Sequence, residues 1–217
     1  MGILDKQLKY EKALEYEIFI KEEYGFSKEK IKKANCIFDI GWHVWFFSKW
    51  CRSLNSSSDI HYFEPVDLFC DKAKKLLWND ECFYLNRFWI ASTTWNWTIF
   101  FNNEKTMQSS RFHSFLNLNW IMMDVQFITL RDYLNQCTIS SIDIMKMDIE
   151  GMEFEVLFSW IHEWNIIQNL IIEIHLIDNE FKKEWKSLYS LLNENFKTVE
   201  LIPSWYTSDV FLVWACK

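Results

Sequence analysis

The sequence predicts a doubly wound α/β fold, a mostly parallel sheet with helices on both faces and an antiparallel hairpin at one edge. Three observations carry that prediction. Short β-branched and aromatic runs alternate with segments of helical period about 8 to 15 residues long. The run Cys36 to Ile40 ends in Asp39-Ile40-Gly41, an acid and a glycine at a strand-to-helix turn, where such folds bring backbone against a ligand. The last two strands are joined only by the loop Pro203 to Asp209, which suits an antiparallel pair.

Each element follows from its own pattern. Leu8, Leu14, Ile18 and Ile20 recur at helical spacing among Lys and Glu, and the pattern breaks at Tyr24-Gly25-Phe26 and restarts near Ser27, a natural N-cap. Residues 1–34 are therefore expected as a helical preface to one domain over 35–217. Within that domain the order is strand Cys36 to Ile40, helix Phe46 to Leu54, strand Ile60 to Phe63, helix Val66 to Leu77 and strand Cys82 to Asn86. Trp97 to Phe101 reads as a further strand and Ser109 to Ile121 as an irregular polar segment. Helix Leu130 to Gln136, strand Ile142 to Met147, helix Glu153 to Trp164, strand Leu170 to His175 and helix Lys182 to Asn195 follow. Strands Thr198 to Ile202 and Val210 to Ala215 close the chain.

Composition narrows the function. The 217 residues carry a net charge of −7 and lack a Lys/Arg block interleaved with aromatics, so no nucleic-acid partner is expected. The one basic cluster, Lys28, Lys30, Lys32 and Lys33, reads as the solvated face of a short helix. Six scattered cysteines without a C-x-x-C pair indicate free thiols rather than a zinc knuckle or disulfide framework. The charged N-terminus has no apolar signal core, and no run approaches the roughly 20 apolar residues of a membrane span, so a cytoplasmic protein is expected.

In such sheets chemistry sits at the carboxyl ends of the strands. Glu64, in Phe63-Glu64-Pro65, stands at the second strand's tip, where a carboxylate can accept both hydrogen bonds of a ribose diol; a solvated loop acid is the plainer alternative. Asn86 to Ser92 occupies the place for an adenine wall. Lys146, Asp148 and Glu150 alternate after the apolar run from Ile142 and so share one side. Three ionisable groups there are costly unless paired or liganded, and a Lys146–Asp148 ion pair with Glu150 capping the next helix is the structural alternative. Glu173 and His175 add a carboxylate and an imidazole, and a histidine beside converging acids is a general-base candidate.

Together these residues resemble the FkbM family of S-adenosylmethionine-dependent methyltransferases, from about Asn35 to the C-terminus. The family's D-I-G-A-N-x-G-x-x-S is matched by Asp39, Ile40, Gly41, Val44, Phe47 and Ser48 but broken at Trp45, and its F-E-P by Phe63, Glu64 and Pro65. N-F-G-L-G-D is met only loosely by Asn86-Arg87-Phe88-Trp89-Ile90-Ala91. The most specific piece, T-L-D-x-Y followed by I-D-x-x-K-x-D-x-E-G-x-E, reads here as Thr129 to Tyr133, with Arg131 for the acid, and Ile142 to Glu153. Ile171 to His175 is similar to the later I-x-E-x-H strand.

The resemblance implies a Rossmann-like class I methyltransferase fold with a seven-stranded sheet and S-adenosyl-L-methionine as cofactor. It implies that Asp39 and the Gly41 turn, with Trp42, His43 and Trp45, hold the methionine part, Glu64 and Pro65 the ribose, and Asn86 and Phe88 the adenine. Asp148, Glu150 and His175 are the expected base or substrate-orienting groups for methylation of a hydroxyl on a sugar, glycan or secondary metabolite. A divalent metal on Asp148 and Glu173 is a weaker expectation, since carboxylates alone do not specify one, and no metal ligand is assigned. A nicotinamide-dependent oxidoreductase is the rival enzyme class, but its fingerprint needs G-x-G-x-x-G. A degenerate, non-catalytic binding domain is the non-enzymatic rival.

Thirteen Trp stand beside only 4 Gly, against about 7% Gly in ordinary chains. Trp45, Trp89 and Trp95 fall where the family pattern resembles Gly, Trp42 where a small residue is usual, and Trp78 and Trp97 in turn-like contexts. The expectation is that many are glycines in the native protein, read as Trp because one codon has two meanings; a genuinely Trp-rich relative is the alternative.

Overall fold

The strand that organises the molecule, β1 (Cys36–Ile40), is almost wholly buried, and its run of Ile and Phe suits a position with neighbours on both edges and packing on both faces. In the computed structural model residues 3–41, 45–77, 79–101, 109–110, 121–149, 151–176, 178–203 and 209–217 are described. The remaining strands are β2 (Asp59–Phe63), β3 (Phe83–Asn86), β4 (Trp89–Ala91), β5 (Trp95–Phe101), β6 (Ser109–Ser110), β7 (Ile121–Thr129), β8 (Ile144–Met147), β9 (Asn169–His175), β10 (Thr198–Pro203) and β11 (Val210–Cys216). The helices are α1 (Ile3–Phe19), α2 (Lys28–Ile31), α3 (Phe46–Leu54), α4 (Asp67–Leu76), α5 (Leu130–Cys137), α6 (Glu153–Ser159) and α7 (Asn179–Asn195).

Seven strands form the main sheet in the order β3-β2-β1-β8-β9-β11-β10. The first five are parallel, whereas β11 pairs antiparallel with both β9 and β10, so the expected edge hairpin is present. The chain leaves β1 toward β2 and β3 and returns on its other side as β8, which makes the β1–β8 boundary the topological switch point. Ligands of doubly wound folds bind outside the strand ends at that place. In register, Asp39 on β1 faces Tyr62 on one side and Lys146 on the other.

The second sheet departs from expectation. Residues 89–129 contribute β4-β7-β5-β6, in which β7 pairs antiparallel with β5 and parallel with β4. Trp97 to Phe101 is a strand as expected, but it lies in this sheet and begins at Trp95. β7 takes in residues 122–129, to which the sequence assigned no element; Asp124 and Gln126 interrupt its apolar run, and they are the exposed positions of an alternating strand that buries Val125 and Phe127. Of the polar segment Ser109 to Ile121, only residues 109–110 and 121 are described, and they are in strands.

Helix ends follow local chemistry. α5 starts where Thr129 accepts the Asp132 N–H at 3.0 Å. α7 starts at Asn179, three residues before expectation, because Asp178 accepts the N–H groups of Glu180 and Phe181 at 2.7 and 3.1 Å. α6 stops at Ser159 rather than Trp164; the Ser159 hydroxyl donates to the Val156 carbonyl at 2.7 Å, offering the backbone a local alternative, and a 3-10 turn over Trp164–Ile166 follows. All six cysteines are free. In the N-terminal segment Ile18, Tyr24 and Ile31 join the main core, while Lys30, Lys32 and Lys33 are exposed.

Candidate active site

The β1 end is built by backbone geometry. Gly41 adopts φ +95°, and a Cβ placed on it would meet the Asp148 carbonyl oxygen at 1.9 Å, so glycine is required by the approach of the β8 end. The Asp148 N–H donates to the Ile40 carbonyl at 3.0 Å and the Gly41 N–H to the Phe63 carbonyl at 3.3 Å, tying the ends of β8, β1 and β2 together. Asp39 is buried and turned inward. Its Oδ2 accepts the Ser48 hydroxyl at 2.6 Å and the Ser48 N–H at 3.2 Å, which anchors the first turn of α3.

Lys146 occupies the switch point, its Nζ 3.4 Å from Asp148 and 3.9 Å from Asp39. Burial pushes its ammonium down, but Asp148, Asp39 and Glu173 outweigh burial and hold it above the usual lysine range. For Asp39 burial wins and raises the carboxyl, against Lys146 and the Ser48 hydrogen bonds. The Lys146–Asp148 pair is thus present, and Asp148 Oδ1 has no hydrogen-bond partner among the described residues. The N-cap of α6, Met152, makes no side-chain capping bond, and Glu150, the expected cap, lies outside the described residues, as do Trp42 and His43.

On the far side of Lys146, His175 sits between two carboxylates. Its Nδ1 is 2.9 Å from Glu153 Oε1, and its Nε2 is 3.9 Å from Glu173 Oε1. Glu153 is fully buried and its Oε1 also accepts the Gly151 N–H at 2.9 Å. The sequence placed Glu153 within a motif without a role; α6 delivers it to β9, a contact that spacing cannot show.

The β2–β3 side is more enclosed. Glu64 is fully buried, its Oε1 accepting the Val66 N–H at 2.7 Å, so a ribose contact requires the side chains around it to give way. Pro65 beside it is buried as well. Asn86 donates to the backbone carbonyls of Tyr62 and Tyr84 at 3.3 and 3.1 Å. Phe88 packs on Phe63 and Tyr133, with ring centroids 5.9 and 5.7 Å away. Behind them His61 Nδ1 lies 2.7 Å from the Tyr133 hydroxyl; burial takes this imidazole down to about 4, so it stays neutral. In kind the donors fit a nucleoside-bearing cofactor: a carboxylate at the β2 tip, an aromatic face beyond it, and bare backbone at Gly41. Among the described residues no group of three His, Cys, Asp or Glu side chains is placed to hold a metal ion.

The model of the methyltransferase FkbM domain matches residues 39–198. The chain belongs to the FkbM methyltransferase family. The match runs from Asp39, at the β1 end, into β10, and leaves α1 and α2 outside it. Among solved structures, a Streptococcus mutans protein described as a methyltransferase in complex with SAH superposes with a TM-score of 0.52 at 11% identity, covering 89% of this chain and 97% of that one. An rRNA-methylase from Clostridium thermocellum gives 0.51 at 9%, covering 89% and 96%, and an rRNA methylase from Streptococcus thermophilus 0.51 at 10%, covering 88% and 94%. At these identities the likeness establishes the shared fold. Comparison with curated proteins returns no match. No described helix is long and apolar enough to cross a membrane.

The tryptophans of this FkbM-family chain divide. Trp45 has φ −30° at the start of α3, outside the left-handed region that would demand glycine. Trp89 lies inside β4, buried against Phe127 at 5.6 Å, whereas Trp95 is 42% exposed on β5. Yet the buried indole N–H groups of Trp45, Trp160 and Trp164 lack a hydrogen-bond partner among the described residues, which costs roughly 1–3 kcal/mol each. Trp42 and Trp78 lie outside the described residues.

Proposed function

We propose that this chain transfers the methyl group of S-adenosyl-L-methionine to a hydroxyl of a sugar, glycan or secondary metabolite. The observation that carries the reading is the row Lys146, Asp148, Glu173 and His175 beside the Gly41 turn at the switch point of an FkbM-family sheet. The cofactor, when bound, supplies a methyl on a positively charged sulfur. Asp39 and the turn at Gly41, with Trp42, His43 and Trp45, hold its methionine end, Glu64 and Pro65 the ribose, and Asn86 and Phe88 the adenine.

A hydroxyl must lose its proton as it attacks, so the site needs a base within hydrogen-bond reach. His175 takes that role, with Asp148 and Glu150 orienting the acceptor and Lys146 fixing Asp148. The charge of −7 weighs against a polyanionic acceptor, so a small molecule or glycan is favoured over nucleic acid, and the protein acts in the cytoplasm as one domain over 35–217 behind its helical preface. Transfer of labelled methyl to a panel of sugars, glycans and small hydroxylated metabolites tests the reading. Labelling that survives His175→Ala at full rate removes His175 from it.

A second reading has support of its own. Trp45 is buried at the cofactor turn and Glu64 is enclosed, as they would be in a domain that no longer binds cofactor. Calorimetry of cofactor binding separates the readings: no heat for the chain as written, restored in Trp42→Gly/Trp45→Gly, indicates an indole-blocked site. Sequencing the gene decides whether those tryptophans are native; ordinary tryptophan codons at 42, 45, 89 and 95 end the glycine reading.

A further inference from the structure

We propose that Glu153 is the positioning residue of His175: its buried carboxylate keeps the proton on Nδ1 and leaves Nε2 as the basic nitrogen facing Glu173 and the acceptor. This rests on the reading of His175 as the base, and extends it to a residue that touches neither acceptor nor cofactor in that reading.

The geometry is specific. Glu153 Oε1 already accepts the Gly151 N–H at 2.9 Å, so the same oxygen at 2.9 Å from His175 Nδ1 is an acceptor, and Nδ1 must be the donor. A neutral imidazole carries one ring proton; with that proton held on Nδ1, the lone pair is on Nε2. Glu173 Oε1 lies 3.9 Å from Nε2, too far to take a hydrogen bond from it. The carboxylate is itself immobilised, at the first residue of α6 with no solvent exposure, while the His175 side chain is 14% exposed and reachable. During turnover the acceptor O–H proton passes to Nε2 as its oxygen takes the methyl. The resulting imidazolium lies between Glu153 and Glu173, and its Nε2 proton returns to solvent, restoring the starting tautomer.

The test begins with the unmodified protein. Long-range proton–nitrogen spectra of isotope-labelled histidine report which ring nitrogen is protonated, with the His175 signal assigned by its loss in His175→Gln. The expected result is an Nδ1–H tautomer. Glu153→Met, which removes the acceptor at similar length, moves the proton to Nε2 and lowers kcat by about 10²–10⁴-fold with KM within about twofold. Glu153→Gln, which keeps an acceptor oxygen, retains the Nδ1–H tautomer and loses less. An Nε2–H tautomer in the unmodified protein, or Nδ1–H persisting in Glu153→Met, overturns the proposal; if Glu153→Met does not fold, the unmodified spectrum decides alone. An Nδ1–H signal together with full activity in His175→Gln upholds the positioning role and instead refutes His175 as base.

Discussion

The two sides of the switch point are made differently. On the β1–β2 side main chain shapes the site: Gly41 at φ +95°, its hydrogen bond to Phe63, the Asp148 carbonyl pressed against it, and Asp39 clamped to Ser48 nine residues on. On the β8–β9 side charged side chains shape it, because Lys146 needs Asp39 from β1 and His175 needs Glu153 from α6. The first side is a turn with a required backbone shape. The second is a set of charges that tolerate burial only in each other's company.

If that contrast is right, the largest stability loss comes from the charge set. Lys146→Met leaves Asp39 and Asp148 without their cation, and a loss of about 3–5 kcal/mol is expected in urea unfolding, with Asp39→Asn in the same chain recovering part of it. A loss under about 1 kcal/mol would mean that the lysine neutralises nothing. Next, Gly41→Ala places a methyl against the Asp148 carbonyl in a left-handed conformation, for an expected loss of roughly 2–4 kcal/mol accompanied by loss of cofactor binding. Normal stability with normal binding would show that the β8 end yields easily.

Smaller effects sharpen the picture. Glu64→Gln should weaken cofactor affinity about tenfold by calorimetry while leaving the melting temperature nearly unchanged, since the amide can still accept the Val66 N–H. The smallest effect comes from the N-terminal segment. Burial, with Glu17 and Asp148 adding to it against Lys146 and Lys21, pushes the Glu23 carboxyl up to about 7. Between pH 4.5 and about 7 the folded protein keeps a proton that the unfolded chain has lost, so stability falls as pH rises through that window and stays lower above it. Glu23→Gln should flatten this slope and add roughly 1–2 kcal/mol at pH 8, after allowance for solvent screening. An unchanged pH profile of melting temperature would place Glu23 away from the strand ends.

That result also bears on Tyr24. Burial and the charges of Glu23, Glu173, Asp148 and Asp39 hold its phenol well above its usual range, and its ring packs on Phe47 at 5.0 Å. The segment between α1 and α2 therefore lies within electrostatic reach of the candidate site, although it falls outside the family match.

Legibility tracks the same division. β1, α3, β2 and α4 read off the sequence almost to the residue, because Phe38-Asp39-Ile40-Gly41 and Phe63-Glu64-Pro65 carry strand, turn and acid in contiguous runs. The antiparallel hairpin was legible for the same reason, its six-residue connection leaving no room for a crossover helix. β7 was not, because two exposed polar residues interrupt the apolar run of this alternating strand.

By itself the sequence determined the sheet class, the family motifs and the residues Asp39, Gly41, Glu64, Lys146, Asp148 and His175 as candidates, since each sits at the end of a run whose period names its element. Only the tertiary structure decided what those residues do to one another. Asp39 anchors α3 through Ser48, Lys146 bridges β1 and β8, Glu64 is enclosed, and Glu153 reaches His175 across 22 positions of sequence. The physical reason is range: dihedral preference and hydrophobic period act over a few residues, whereas the cost of burying a charge is met by whichever opposite charge the fold brings within about 4 Å.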